Sequence, residues 1–173
     1  MYAAISTNWF KYAELELPSL SRKSRFLATK SITFTPQNYP EDDLEYFLSF
    51  KDTPKQNKDK NKVKHFYDLK TLSLLSYDHN KIELTELGKA IIEDDVSTIK
   101  QILAKEALKT DKIRIAYQFL VNNPKIPGKT MKLALKNHLL SDIKSKVYKD
   151  KSARCLYNWA KFILTNQVSG KTN

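Results

Sequence analysis

The stretch "KTLSLLSYDHNKIELTELGK", residues 70–89, constrains the fold of this chain more than any other. A leucine-dense helix end runs into Asp78-His79-Asn80-Lys81, residues that favour a turn, and the flanking "LSY" and "IEL" read as two short strands. Thr85 then stands where a helix N-cap belongs, ahead of "ELGKAIIEDD". A helix, a polar hairpin and a second helix therefore follow one another in quick succession. The whole chain has only 3 glycines, which argues against a Gly-rich phosphate loop or a many-stranded sandwich. The expected class is mainly α with a small β-hairpin.

Upstream, "PEDDLEYFLSF" places acids in the first turn of a helix, where the macrodipole favours them, with Leu44, Phe47 and Leu48 as its apolar stripe. Asp43 reads there as a first-turn acid. "KDTPKQ" ends that helix at Pro54, and a longer one is expected from about Asn57 to Leu75. At about 100° per residue, Val63, Phe66, Tyr67, Leu69 and Leu74 share its packed side, while Lys60, Asn61, Lys64 and Thr71 point to solvent. Residues 1–40 are the least regular, with Trp9, Phe10 and Tyr12, a basic knot at Arg22, Lys23 and Arg25, and the strand-like "SITFTP".

From Asp95 the pattern is helical throughout: "DVSTIKQILAKEALK", "DKIRIAYQFLVNN", a stop at "PKIPG", then "KTMKLALKNHLL" and "SARCLYNWAKFILTN" joined by the basic connector "SDIKSKVYKDK". Two modules are expected, over 1–94 and 95–168, with a frayed tail at 169–173. On the last helix Cys155, Leu156, Trp159, Phe162 and Ile163 share a buried side, which makes Trp159 a core residue and Cys155 an inert thiol. Arg154, Tyr157, Asn158, Lys161 and Thr165 share the other side.

Lys and Arg outnumber Asp and Glu by 30 to 19, a net charge of +11 that favours a polyanionic partner, either nucleic acid or an anionic membrane surface. A single cysteine permits no internal disulfide and suits a reducing compartment. No window approaches the roughly 20 apolar residues of a membrane span, and the first residues lack a basic leader, so a cytoplasmic protein without a membrane partner is expected.

Two segments share a plan of short helix, connection and longer helix with basic leading turns: "DDLEYFLSF" with "NKDKNKVKHFYDLKTL", and "KTMKLALKNHLL" with "KSARCLYNWAKFIL". That is the plan of a helix-turn-helix, whose second helix lies in the DNA major groove; followed by the hairpin, the first copy reads as a winged helix. Five lysines and one acid between Lys55 and Lys64 give net +4, and five lysines with Arg154 against Asp150 between Lys144 and Lys161 give net +5. Lysine runs often only solvate a helix, but two on matching helices suit phosphate neutralisation. Lys58, Lys60, Lys64, Lys149, Lys151 and Lys161 are the expected phosphate contacts, with Tyr157 beside them. Gln56, Asn57, Asn61, Arg154 and Asn158 carry the forked or amide groups that read bases.

"KNKVKHFYDLKTLSLLSYDHNKIELTELGKAI", followed by "NNPKIP" and "KDKSARCLYNWAKFI", resembles the tandem winged-helix DNA-recognition region of some type II restriction endonucleases and relatives. Leu84-Thr85-Glu86-Leu87-Gly88 and the run from Lys151 to Trp159 carry the resemblance, which spans roughly residues 40–165. Ser73 stands where that family has Gly. Lys64-His65 replaces two tyrosines and Lys151-Ser152 an arginine pair, which brings His65 and Ser152 among the expected DNA contacts. The resemblance implies the recognition part of a restriction-modification system, with any nuclease in another domain or subunit.

The residues themselves offer no catalytic centre. Asp43 and Asp68-Leu69-Lys70 imitate the acids and lysine that hold a nuclease metal, but both fall on expected helices. His65, His79 and His138 are dispersed, and with one cysteine they give no zinc spacing. His79 at the hairpin tip reads as a solvated turn residue. No metal, cofactor or small-molecule substrate is expected. The expectation is therefore sequence-specific recognition of double-stranded DNA by a non-enzymatic chain; the rivals are a stand-alone transcriptional regulator and a helical protein-interaction domain associated with an ATPase or a toxin.

Overall fold

The computed structural model describes residues 34–167. The Arg22-Lys23-Arg25 knot, the first half of "SITFTP" and the tail 169–173 lie outside them; residues 34–36 form no strand. Helix α1 spans Pro40–Leu48, with Pro40 in its first turn and Leu44, Tyr46 and Phe47 buried. Strand β1 (Lys55–Asn57) follows, then α2 (Val63–Thr71), the hairpin β2 (Leu75–Asp78) and β3 (Lys81–Leu84), and α3 (Glu86–Ile91). Four further helices complete the described chain: α4 (Val96–Ala107), α5 (Asp111–Asn122), α6 (Gly128–His138) and α7 (Lys146–Asn166).

The helix expected over about 57–75 is thus half as long as its apolar periodicity suggests. Gln56 and Asn57 belong to β1, where they pair with Ile82 and Lys81. Asp59 then holds the backbone N–H of Asn61 at 2.8 Å, a local turn that competes with helix. Lys58, Lys60 and Lys62 crowd the positive end of the dipole with no acid in the first turn to offset them. At the other end Leu74 N–H donates to Leu69 O at 2.9 Å and Ser73 N–H to Lys70 O at 3.0 Å, the double bond of a Schellman stop, with Leu69 and Leu74 both buried. Ser73 accordingly has φ 62°. Tyr67, expected in the packed stripe, is about half exposed.

The hairpin forms where its turn chemistry places it. His79 (φ 43°) and Asn80 (φ 65°) make a two-residue loop between the paired Asp78 and Lys81, and this loop matches strand twist when both residues have positive φ. The sheet order is β1-β3-β2, all antiparallel, so Ile82 and Leu84 of the central strand face the core. Thr85 caps α3 as expected: its Oγ1 accepts from Gly88 N–H at 3.0 Å and donates to Ser73 O at 2.6 Å. A Cβ at Gly88 would lie 2.4 Å from Leu74 O, so the glycine of "LTELG" is what lets α3 sit against the hairpin base.

In the second half Asp95 caps α4 through Thr98 N–H. Ser145 caps α7, which takes up the end of the expected basic connector and begins well before "SARCLYNW". Helix α7 packs against α4, α5 and α6 and reaches α1. Trp159 is fully buried on it and donates Nε1–H to Asn38 O at 3.2 Å. The buried residues run without a break from Leu44 and Phe66 to Ile113 and Ile163.

Two substitutions should move stability in opposite directions. Ser73→Gly relieves a left-handed residue and should stabilise by roughly 1 kcal/mol. Gly88→Ala forces α3 off the hairpin and should cost about 1–3 kcal/mol. Urea unfolding of the two variants checks both signs.

Candidate nucleic-acid interface

Helix α7 presents a solvent-facing stripe because its apolar residues recur three and four apart on the other side. Arg154 and Lys161 are exposed, Asn158 is half-buried, and Lys149 and Lys151 are half-buried at the stripe's start. Asn158 turns its amide back onto Arg154 O at 2.8 Å. Tyr157 packs so close to α6 that a Cβ at Gly128 would lie 2.9 Å from its hydroxyl. Lys132 and Lys161 hold their ammonium groups 5.7 and 5.6 Å from its ring centre. Between α6 and α7 runs a groove of about 490 Å³ lined by Lys129, Lys132, Lys136 and Arg154, with Asp150 paired to Lys136 at 2.8 Å. Ser152, in contrast, is only 3% exposed and cannot touch DNA in this structure. It occupies the i, i+3, i+4, i+7 stripe of Cys155, Leu156 and Trp159, a signal already present in the sequence.

The second basic run leads into α2. Lys58, Lys60, Asn61 and Lys64 are exposed there, as is Asn57 on β1. Gln56 is committed to the fold: its Nε2 donates to Ser49 O and Ser49 Oγ, each at 3.1 Å. His65 is turned inward, with Nδ1 2.8 Å from Asp43 Oδ1. The positive charges of Lys62 and Lys151 both bear on His65, so the two lysine runs border one histidine from α2 and α7. The exposed acids Asp42 and Glu45 of α1 line the same groove as Lys62 and His65.

Beneath it lies a buried acid pair. Asp43 and Asp68 are both 0% exposed, so Asp43 is a core group and its first-turn position is not a cap. Asp68 Oδ2 accepts from Gln37 N–H at 2.8 Å and from Asn38 N–H and Nδ2 at 3.0 and 3.2 Å. Asp43 Oδ2 and Asp68 Oδ1 have no hydrogen-bond partner among the described residues. Two buried carboxylates this near one another repel, which favours keeping a proton on the pair. Burial raises Asp43 well above the usual carboxylate range, and burial with the neighbouring Asp43 charge pushes Asp68 up to about 8. Burial also lowers His65 below the ordinary histidine value.

The two acids of the imitated nuclease pattern thus do converge, but away from solvent. Lys70 leaves them, lying 5.8 Å over the Phe66 ring. Among the described residues no three His, Cys, Asp or Glu side chains are grouped to hold a metal. Burial raises the Cys155 thiol to about 12. His79, fully exposed, pairs with Asp78 at 2.6 Å. Among the described residues no helix is long and apolar enough to cross a membrane.

Residues 61–164, more than half of the chain, match the family described as the C-terminal AAA-associated domain. The chain belongs to this family. No curated protein and no solved structure matches it. The matched segment opens just ahead of α2 and closes near the end of α7, so it holds the whole Lys144–Lys161 run but only Lys62 and Lys64 of the run before α2. Helix α1 and strand β1 precede it and pack onto it, α1 through Asp43 and β1 through β3.

Sequence reasoning missed Lys129 and Lys132, which α6 brings beside Arg154, and the exposed rings of Tyr67 and Tyr77. Tyr77 shares parity with the buried Leu75 and gives no sequence sign of exposure.

A proton kept on the pair has a measurable consequence. An unfolded aspartate releases its proton near 3.9, whereas the native pair keeps one to about pH 8, so the native state binds more protons between those values. Stability should therefore decline as pH rises, by up to about 1.4 kcal/mol per pH unit between roughly pH 6.5 and 8, above the histidine range. Asp68→Asn, whose amide can donate to Asp43, should flatten that decline in thermal unfolding. An equal slope in both proteins would mean that no proton is held.

Proposed function

We propose that this chain is a double-stranded DNA-binding domain that works with an AAA ATPase. One observation carries the reading. Among the described residues none of Lys58, Lys60, Lys62, Lys64, Lys149, Lys151, Arg154 or Lys161 pairs with a carboxylate. Lys55 at the start of the first run has Glu83 at 3.0 Å, and Lys51, Lys89 and Lys109 elsewhere each have an acid at 2.6–3.1 Å, whereas among the described residues Lys81, Lys100, Lys105 and Lys125 have none. Uncompensated cations gathered on two neighbouring runs favour a phosphate backbone as their partner.

On this reading the fold is a winged helix: α2 is the recognition helix and the β2–β3 hairpin the wing. At about 1.5 Å per residue its 9 residues reach little more than 13 Å, so base reading by α2 is confined to a few pairs. Arg154 and Asn158 on α7 supply the second set of base contacts. Gln56 and Ser152 take no part, and His65 acts from below by positioning the first turn of α2. The family's description supports an ATPase as the associated activity, in the place that the restriction resemblance gave to a nuclease. The same description favours a second reading, in which the helices dock on the ATPase and contact no DNA.

Fluorescence anisotropy with labelled duplexes across a salt series separates the two. Six or more phosphate contacts should reduce affinity by roughly a thousand-fold between 50 and 200 mM salt. Lys60→Ala with Lys64→Ala should weaken all sequences alike and shrink the salt slope by about 2, whereas Arg154→Ala should relax base preference. Affinity that ignores salt, or no duplex binding, would leave the docking reading in its place.

A further inference from the structure

Two exposed tyrosine rings lie between α2 and the hairpin. Tyr67 of α2 and Tyr77 of β2 are 49% and 44% exposed, and both lean on the buried Phe66, with ring centres 5.3 and 6.1 Å from it. Phe66 thus holds two large rings at the surface instead of letting them fold into the core. The ammonium of Lys58 lies 5.7 Å from each tyrosine ring, and Lys70 stands over Phe66. Among the described residues no carboxylate pairs with Lys58 or Lys70, and the neighbouring Asp78 is taken by His79.

We infer that Tyr67 and Tyr77, with Lys58 and Lys70, form a stacking platform for the unpaired bases of single-stranded nucleic acid. Exposed rings beside lysines that have no carboxylate partner match the two parts of such a ligand: bases stack on the rings and phosphates take the cations. A duplex keeps its base faces inside its own stack and would leave the rings unused. An acidic peptide would use the lysines alone. Lys58, now resting over both rings, is long enough to move to a phosphate as a base takes its place. Lys58 also belongs to the first basic run, so the two readings are told apart at Tyr77, which the duplex reading does not use.

The test is anisotropy with labelled oligo(dT) and with a duplex of equal length. The wild-type chain should bind oligo(dT), and Tyr67→Leu and Tyr77→Leu should each lower that affinity roughly ten-fold, with duplex affinity left unchanged by Tyr77→Leu. Tyr→Phe at the same positions, which keeps the ring, should restore it. Photocrosslinking of iododeoxyuridine-bearing oligo(dT) to the wild-type chain needs no variant and should label Tyr67 or Tyr77. The inference is overturned if oligo(dT) does not bind or crosslinks only elsewhere. Equal losses on oligo and duplex from Tyr77→Leu, or oligo(dT) binding that a poly-glutamate peptide matches with the same tyrosine dependence, would overturn it as well.

Discussion

Two fully buried carboxyls, Asp43 and Asp68, join the parts of this fold. The pair ties α1 to α2, and Asp68 also receives three N–H groups from Gln37 and Asn38. Asn38 passes the connection on, accepting from the indole of Trp159 on α7, while Thr35 of the same extended segment accepts from the buried Lys112 of α5 at 2.9 Å. Two ionised carboxylates in this site would repel one another, and the one titratable cation beside them is His65, 2.8 Å from Asp43. The segment 34–39 is therefore clasped from three helices through polar groups, and the apolar core closes around them.

That arrangement explains what could be read from the sequence. The hairpin, its two-residue turn, the Thr85 cap and the buried face of α7 depend on local chemistry and on spacing, and all are legible. The length of α2 is not, because periodicity continues through Lys58–Lys62, where the dipole and the Asp59 turn reject helix, and through Ser73, where a Schellman stop reverses the chain. The acid pair is illegible for another reason. Asp43 stands where a first-turn acid is expected on electrostatic grounds, and only the packing of α1 on α2 brings it to Asp68. The same three-dimensional meeting places Lys62 and Lys151 around His65 and sets Tyr67 beside Tyr77 over Phe66.

The features that cost stability coincide with those proposed to bind. The lysines at the start of α2 shorten the helix and find no acid to offset them; the proposed phosphate contacts are these residues. Exposed rings between α2 and the hairpin likewise forgo burial. Conflicts of this kind between local preference and fold tend to mark functional positions. Lys51, Lys89 and Lys109, beyond those surfaces, sit beside glutamates.

Protection of lysines from acetylation, mapped by mass spectrometry with and without duplex DNA, tests the central claim most directly. Lys58, Lys60, Lys62, Lys64 and Lys161 should lose reactivity on binding, while Lys51, Lys55, Lys89 and Lys109 keep it. Uniform protection, or none at Lys60, Lys64 and Lys161, would contradict the account.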